Sequence, residues 1–347
     1  MTRLRSDLAG VRGIRLNRRH QRIPQTHRVI IAMIMNLRNL LPSLLLIVGT
    51  TIQAAAAGWT LKPHADGVTL TSPAGRELLG YLTQKPAGST LSANSTSCLY
   101  PLLTPSGENL VVLGPKDHPH HRGVFLAWYH VDGSDKADFW GWGAHAPTTG
   151  RQIVNTQLRL KSTTKTEARF EAQNEWRAGD KILIRERTTF TTRVLPEGNW
   201  IEARVELTPT EDLTLPRAAF SGFCVKSHIS PGSVFTEPSG PSRHPMPKYD
   251  DPTTGWPDAP WYDYTTTLPS GKTAGVTVFN HRSNPSTRWH NLQSIGMINP
   301  CILMGGDVKL KAGKTLTLRY ALLAHDGPAP ASAANQLARR FGASSTR

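Results

Sequence analysis

A chain of 347 residues, 38% of them hydrophobic, can bury one large core or two ordinary ones. Its formal charge of +15 resembles that of a nucleic-acid binder, but residues 1–57 hold nine arginines against Asp7 alone. The remaining excess is scattered among Asp and Glu without a basic run, which argues against a nucleic-acid partner.

From Met35, "MNLRNLLPSLLLIVGTTIQAAAAGWT" has a basic Arg38, an apolar run over Leu40–Val48 and small residues at Ala54–Ala57. That pattern predicts a signal peptide cleaved between Ala55 and Trp59, and so a periplasmic or secreted protein. An uncleaved anchor is the alternative, but the apolar run is short for a span of about 20 residues. Met33 or Met35 as the true start would make the arginine-rich segment before them superfluous. Residues 1–57 are therefore read as an extension and signal peptide, and residues 58–347 as a single domain with no stable membrane span after cleavage. Cys98, Cys224 and Cys301 are odd in number, without a C-x-x-C spacing, and read as buried thiols.

Along the rest of the chain the dominant period is two. "EARFEAQNEW" and "KILIRERTTFTTRV" flank the turn-rich "RAGD", predicting a long hairpin over Ala168–Val194. "WIEARVELTP" gives a further strand. Ile229–Pro269 is rich in Pro, Gly, Ser and aromatics with no sustained period, and reads as long loops of the kind that carry function. "TAGVTVFNH" is again a strand. In "TLTLRYALLAH", Leu316, Leu318, Tyr320 and Leu322 alternate with Thr315, Thr317, Arg319 and Ala321. One helix closes the chain: Pro330 and Ser332 mark its start, Ala334, Leu337, Ala338 and Phe341 form its apolar stripe, and Gly342 ends it. Many strands, one terminal helix and no βαβ alternation predict an all-β fold, a large two-sheet antiparallel β-sandwich with one C-terminal helix.

Chemistry concentrates in two blocks. Asp117-His118-Pro119-His120-His121-Arg122 puts three imidazoles beside a guanidinium, and Pro119 keeps them off a common helical face. Imidazole is the natural proton shuttle near neutral pH, and a guanidinium can fork onto a carboxylate or hold a sugar oxygen. "DFWGWG" follows, with Trp140 and Trp142 on one side of an extended chain together with Asp138; an indole face can cover a sugar ring, although core packing is equally open. The second block, "GVTVFNHRSNPSTRWHNLQSIGMINP", sets His281, Asn284, Trp289 and His290 at the end of a strand. The two blocks are expected to meet in one cleft. Glu186 alternates with Ile182, Ile184 and Phe190 on an apolar face, where an unpaired carboxylate would have a raised pKa and could serve as an acid, with Glu175 in reserve.

These blocks, with "YPLLTPSGENLVVLGPKDHPHHRGVFLAW", "EWRAGDKILIRERTTF" and "KLKAGKTLTLRYALLAHDG", resemble the exported bacterial family known as PmoA-like, or "methane oxygenase" by label. The resemblance covers most of Tyr100–Phe341, and the D-H-P-H-H-R-G and N-H-x-x-N-P…W-H blocks are its specific part. The middle departs from the family pattern, at "FSGFCVK" and "APWYDYTT". The label is not literal, because a particulate methane monooxygenase subunit crosses the membrane many times. The resemblance implies a sandwich similar to galactose mutarotase, from bacteria that degrade complex glycans. In such sites a histidine and a carboxylate exchange protons with a sugar ring.

The expected function is acid–base chemistry on a sugar or glycan fragment: hydrolysis, elimination or epimerisation. His121, His281 and Glu186 are the candidate catalytic residues; His118, His120, Arg122, Trp140, Asn284, Trp289 and His290 are the candidate substrate-binding residues. No cofactor and no metal are expected in that reading. The alternatives are a non-catalytic glycan-binding module and a metal-dependent oxidase with His118, His120, His121 and His290 as ligands.

Overall fold

The computed structural model describes residues 58–344, so the expected signal segment lies outside the described residues. Five strands open the chain: β1 (Thr60–His64), β2 (Gly67–Thr71), β3 (Glu77–Leu82), β4 (Cys98–Leu102) and β5 (Val124–Ala127). Four long strands follow, β6 (Arg151–Thr163), β7 (Glu167–Ala178), β8 (Lys181–Leu195) and β9 (Gly198–Pro209). Next come β10 (Leu213–Leu215), β11 (Gly222–Lys226), β12 (Val234–Glu237), β13 (Gly240–Pro241), β14 (Trp261–Thr267) and β15 (Thr273–Asn280). The chain ends with β16 (Arg288–Trp289), β17 (Met297–Ile298), β18 (Pro300–Cys301), β19 (Val308–Leu310), β20 (Leu316–Asp326) and the helix α1 (Ala331–Ala343).

These build a seven-stranded sheet, β1-β2-β3-β4-β5-β11-β17, and a nine-stranded sheet, β13-β12-β14-β15-β20-β9-β8-β7-β6. Their ladders are antiparallel throughout. The sheets face each other across one core: Phe223 stacks on Tyr320 at 4.3 Å, Trp128 meets Trp176 at 5.3 Å and Tyr81 meets Phe190 at 5.8 Å. The expected all-β two-sheet sandwich with a C-terminal helix is the observed fold. Among the described residues no helix is long and apolar enough to cross a membrane.

Both alternations in β20 find a use. Leu318, Tyr320, Leu322 and Ala324 enter the core between the sheets, while Ala321 and Leu323 pack on the outer face with Trp200, Phe279 and Phe341 of α1. The helix runs one residue past Gly342, and Ser344 caps it, its amide and hydroxyl both donating to the Phe341 carbonyl. The expected loop Ile229–Pro269 is corrected in part, because it contains β12, β13 and the whole of β14. In β14 both faces are covered, Tyr262 and Tyr264 by the core and Trp261 by the helix cluster, so apolar and polar residues never alternate cleanly. The three cysteines are buried free thiols, and burial pushes those of Cys98 and Cys301 up to about 12.

Candidate functional site

The segment 114–122 folds into successive tight turns. The amide of His118 donates to the Pro115 carbonyl, that of His121 to the His118 carbonyl, and that of Gly114 to the His121 carbonyl. Gly114 has φ +56°, and a Cβ there would lie 2.4 Å from the Leu91 amide nitrogen, so the loop can close only on glycine. The rings of His118, His120 and His121 then collect on one side. His118 stacks on His121 at 4.9 Å, and His120 meets His121 edge-on at 4.6 Å.

Arg122 holds this loop from beneath. It is wholly buried, and its guanidinium donates to the carbonyls of Thr96 (3.2 Å), Trp140 (3.0 Å), Phe139 (3.1 Å) and His120 (3.4 Å), with its Cζ 4.4 Å from the Phe125 ring centroid. Desolvation brings its pKa down to about 10, and no carboxylate pairs with it among the described residues. The expected role of Arg122 in gripping substrate is therefore corrected: each of these donors is spent on backbone that would otherwise be orphaned. Asp138 is the second organiser, accepting from the amides of Gly141 (2.7 Å) and Gly143 (2.6 Å) and so fixing the turn that carries Trp142.

A cavity of about 300 Å³ opens over the imidazoles. His118, His120, His121 and His290 line it together with Trp142, Phe220 and Tyr249, and Leu292, Ile295 and Met297 complete the wall. The two sequence blocks thus meet through His290, 169 positions along from His121, and not through His281. Desolvation, with neighbouring imidazoles and cations adding to it, holds His121 well below the usual histidine range and brings His120 down to about 4. Burial does the same for His290, also to about 4. Neither ring nitrogen of His290 nor Nδ1 of His121 has a hydrogen-bond partner among the described residues; the Ala219 carbonyl acts on His290 without reaching bonding geometry. Three neutral imidazoles therefore line the cavity, with the unpartnered nitrogens of His121 and His290 themselves buried in its wall.

His118 differs from the other three. Its Nδ1 lies 2.9 Å from Asp117 Oδ2, which also takes the Lys226 ammonium at 3.2 Å. Lys226 comes from β11, is fully buried and also donates to the Ile295 carbonyl. Burial works against the Asp117 carboxylate, but the His118 bond and the Lys226 charge outweigh it and its pKa lies below the ordinary value. A carboxylate on Nδ1 fixes the proton there and leaves Nε2 as the basic nitrogen. Among the described residues no three His, Cys, Asp or Glu side chains converge at ligand geometry.

The remaining expected site residues lie elsewhere. Trp140 and Trp289 are fully buried core residues, the first edge-on to His121 at 5.5 Å and the second to Tyr262 at 5.0 Å, so neither is a stacking wall; Trp142 lines the cavity. His281 accepts from Arg319 at Nε2 (3.1 Å) and meets Phe341 edge-on at 5.0 Å, under α1. Asn284 donates to the Arg319 carbonyl at 2.8 Å and accepts its amide at 2.7 Å, fastening a loop to β20. Glu186 sits between the sheets beside a 40 Å³ void, accepting from Trp176 Nε1 (2.7 Å), Thr188 Oγ1 (2.6 Å) and Asn174 Nδ2 (3.0 Å). Burial does raise its pKa, as its place in the strand pattern predicts, but it is not a cavity residue. Glu175 pairs with Arg177 on the opposite face of the sheet. Sequence reasoning missed Asp117, although it abuts His118, and missed Phe220, Tyr249 and Lys226, which only the fold brings near.

A family model described as "Family of unknown function (DUF6807)" matches residues 69–339. The chain belongs to this DUF6807 family. No curated protein matches it. Among solved structures, it is similar to a galactose mutarotase related enzyme from Lactobacillus acidophilus at 9% identity and a TM-score of 0.35, covering 77% of this chain and 97% of that one. It is similar to a putative aldose 1-epimerase from Escherichia coli K12 at 9% identity and a TM-score of 0.31, over 78% and 100% of the two chains. A GH36 alpha-galactosidase from Geobacillus stearothermophilus aligns at 9% identity and a TM-score of 0.36, over 78% of this chain and 39% of that one. The fold assignment for this DUF6807 member rests on its own two sheets.

Proposed function

We propose that the protein is an exported carbohydrate-active enzyme whose reaction is proton transfer to or from a sugar held in the histidine cavity. The observation that carries this reading is the chain Lys226–Asp117–His118, a buried ammonium and an imidazole that share one carboxylate oxygen, beside a cavity also lined by three imidazoles held neutral. A volume of about 300 Å³ accommodates a sugar ring rather than a long polymer. In this reading the Trp142 indole covers the ring's C–H face, and His120, His121 and His290 hydrogen-bond its hydroxyls, as donor or acceptor according to tautomer. His118 Nε2 is the proton carrier, and Asp117 stabilises the imidazolium while the proton is held. The resemblance of the D-H-P-H-H-R-G block to an exported family of glycan-degrading bacteria supports the ligand class.

The test is a panel of aldoses, ketoses and short oligosaccharides incubated in deuterium oxide and analysed for products and for deuterium at ring carbons. Hydrolysis, elimination and epimerisation leave different masses and labels. Turnover of at least one sugar, lost in Asp117→Asn and His118→Gln, is the expected result. Sugar binding without turnover would replace the enzyme by a binding module, and absence of both would remove the carbohydrate reading.

A further inference from the structure

A larger depression, of about 750 Å³, lies on the outer face of the nine-stranded sheet between β8, β9, β20 and α1, and shares no lining residue with the histidine cavity. Five arginines line it, and they are not equally neutralised. Arg169 and Arg193 share Glu167 at 2.8 and 2.6 Å, and Arg193 also takes Glu202 at 2.9 Å. Arg204 has Glu206 at 3.1 Å, but its Nε is buried without a partner among the described residues. Arg319 is only 7% exposed, yet its guanidinium meets neutral acceptors: His281 Nε2 at 3.1 Å, the Ser344 carbonyl at 3.0 Å and the Ser344 hydroxyl at 2.8 Å. Arg340, exposed on α1, has no ion pair among the described residues, and Glu197 is the one lining carboxylate without an ion pair among them.

Arg204 and Arg319 are also direct partners across the β9–β20 ladder. Like charges directly opposite on a sheet destabilise it, and burying a guanidinium without a carboxylate adds to that cost. Arg319 fastens the C-terminal end of α1 through Ser344, but that role does not call for a second arginine directly opposite it. The donors that Arg204 and Arg319 leave unspent, together with the exposed Arg340, fit a planar or tetrahedral oxyanion. Trp200, Leu337 and Phe341 supply apolar surface beside them.

We propose that this groove binds an anionic saccharide, with Arg204, Arg319 and Arg340 holding its carboxylate or sulfate groups. That the anion is carried by a sugar rests on the carbohydrate reading; the anion site itself does not. The test is calorimetric titration of the full chain at low salt with oligogalacturonate, sulfated dextran oligosaccharide, neutral dextran and a single-stranded oligonucleotide. Either acidic saccharide should bind, losing affinity as salt rises, and which of the two binds more tightly identifies the group. Neutral dextran should not bind there. Arg204→Gln/Arg340→Gln should weaken acidic binding at least tenfold, and His118→Gln should leave it unchanged. If the double variant fails to fold, Arg340→Gln alone, on the exposed face of the helix, should weaken binding at least threefold. No binding of either acidic saccharide, unchanged affinity in the arginine variants, or tighter binding of the oligonucleotide would overturn the proposal. Arginine-dependent binding by a protein that turns over no sugar would leave the groove standing while the cavity reading fell.

Discussion

Among the four cavity imidazoles, His118 alone carries a carboxylate on its ring, and the other three are defined by what they lack. His120 and His290 at about 4 stay neutral through the physiological range, so the cavity offers hydrogen bonds rather than charge. The same shift governs stability. An unfolded histidine titrates near about 6.5, so between there and about 4 the unfolded chain binds more protons than the folded one, and stability falls as pH falls through that window. Denaturant melts should show His290→Leu losing less stability than wild type between pH 6.5 and 4.5, by on the order of 2 kcal/mol; parallel pH profiles would show that His290 is not held neutral. His325 works in the opposite sense. Buried against Asp263 at 2.8 Å, its pKa is raised, so that pair stabilises fully below the unfolded value and is lost as pH rises through the folded one. Arg122 is the third case, a charged residue serving backbone. Arg122→Ala should cost roughly 3–5 kcal/mol in thermal or chemical melts, because several buried carbonyls lose their donor, and a cost under about 1 kcal/mol would return Arg122 to the list of ligand-binding groups.

At the scale of elements, strand identity was legible wherever one face is polar. The β7–β8 hairpin and β9 follow period two because their inward residues enter the core while many of their outward residues stay partly exposed, whereas β15 and β20 alternate in sequence although both of their faces are buried. It was illegible in β14, where a helix covers the second face, and in short strands such as β17, whose two residues carry no period at all. Site residues followed the same division. Clustering of His118, His120 and His121 was visible because they are neighbours in sequence, and His290 because it shares a block with Trp289. Choosing between Trp140 and Trp142 was beyond alternation, since Gly141 at φ +101° breaks the extended chain and turns the first indole inward. His281 illustrates the converse error: it ends a strand pattern, but α1 folds over it. Phe341→Ala should therefore destabilise the protein by about 3 kcal/mol, uncover Trp200 and His281, and leave sugar turnover in the histidine cavity unchanged. Loss of turnover in a folded Phe341→Ala protein would join the helix to the site.

For the whole molecule, a two-sheet sandwich carries two separate concavities. One opens at the 114–122 loop, with β11 supplying Lys226 and the segment before β17 supplying His290, and the other lies on the outer face of the larger sheet under α1. Fold class was readable from the sequence because many alternating strands leave few architectures; convergence of particular loops was not, because it depends on which strands pair across more than 100 residues. On the proposed function, the histidines that act are those of the first cavity and not the one beneath the helix. The most direct measurement compares turnover of the sugar identified in the panel by His118→Gln and His281→Gln, with melting curves for both. His118→Gln should lose about 10²-fold or more in turnover while melting within a few degrees of wild type, and His281→Gln should keep its turnover within about threefold. A folded His118→Gln protein with full turnover, or a folded His281→Gln protein without it, would contradict the account.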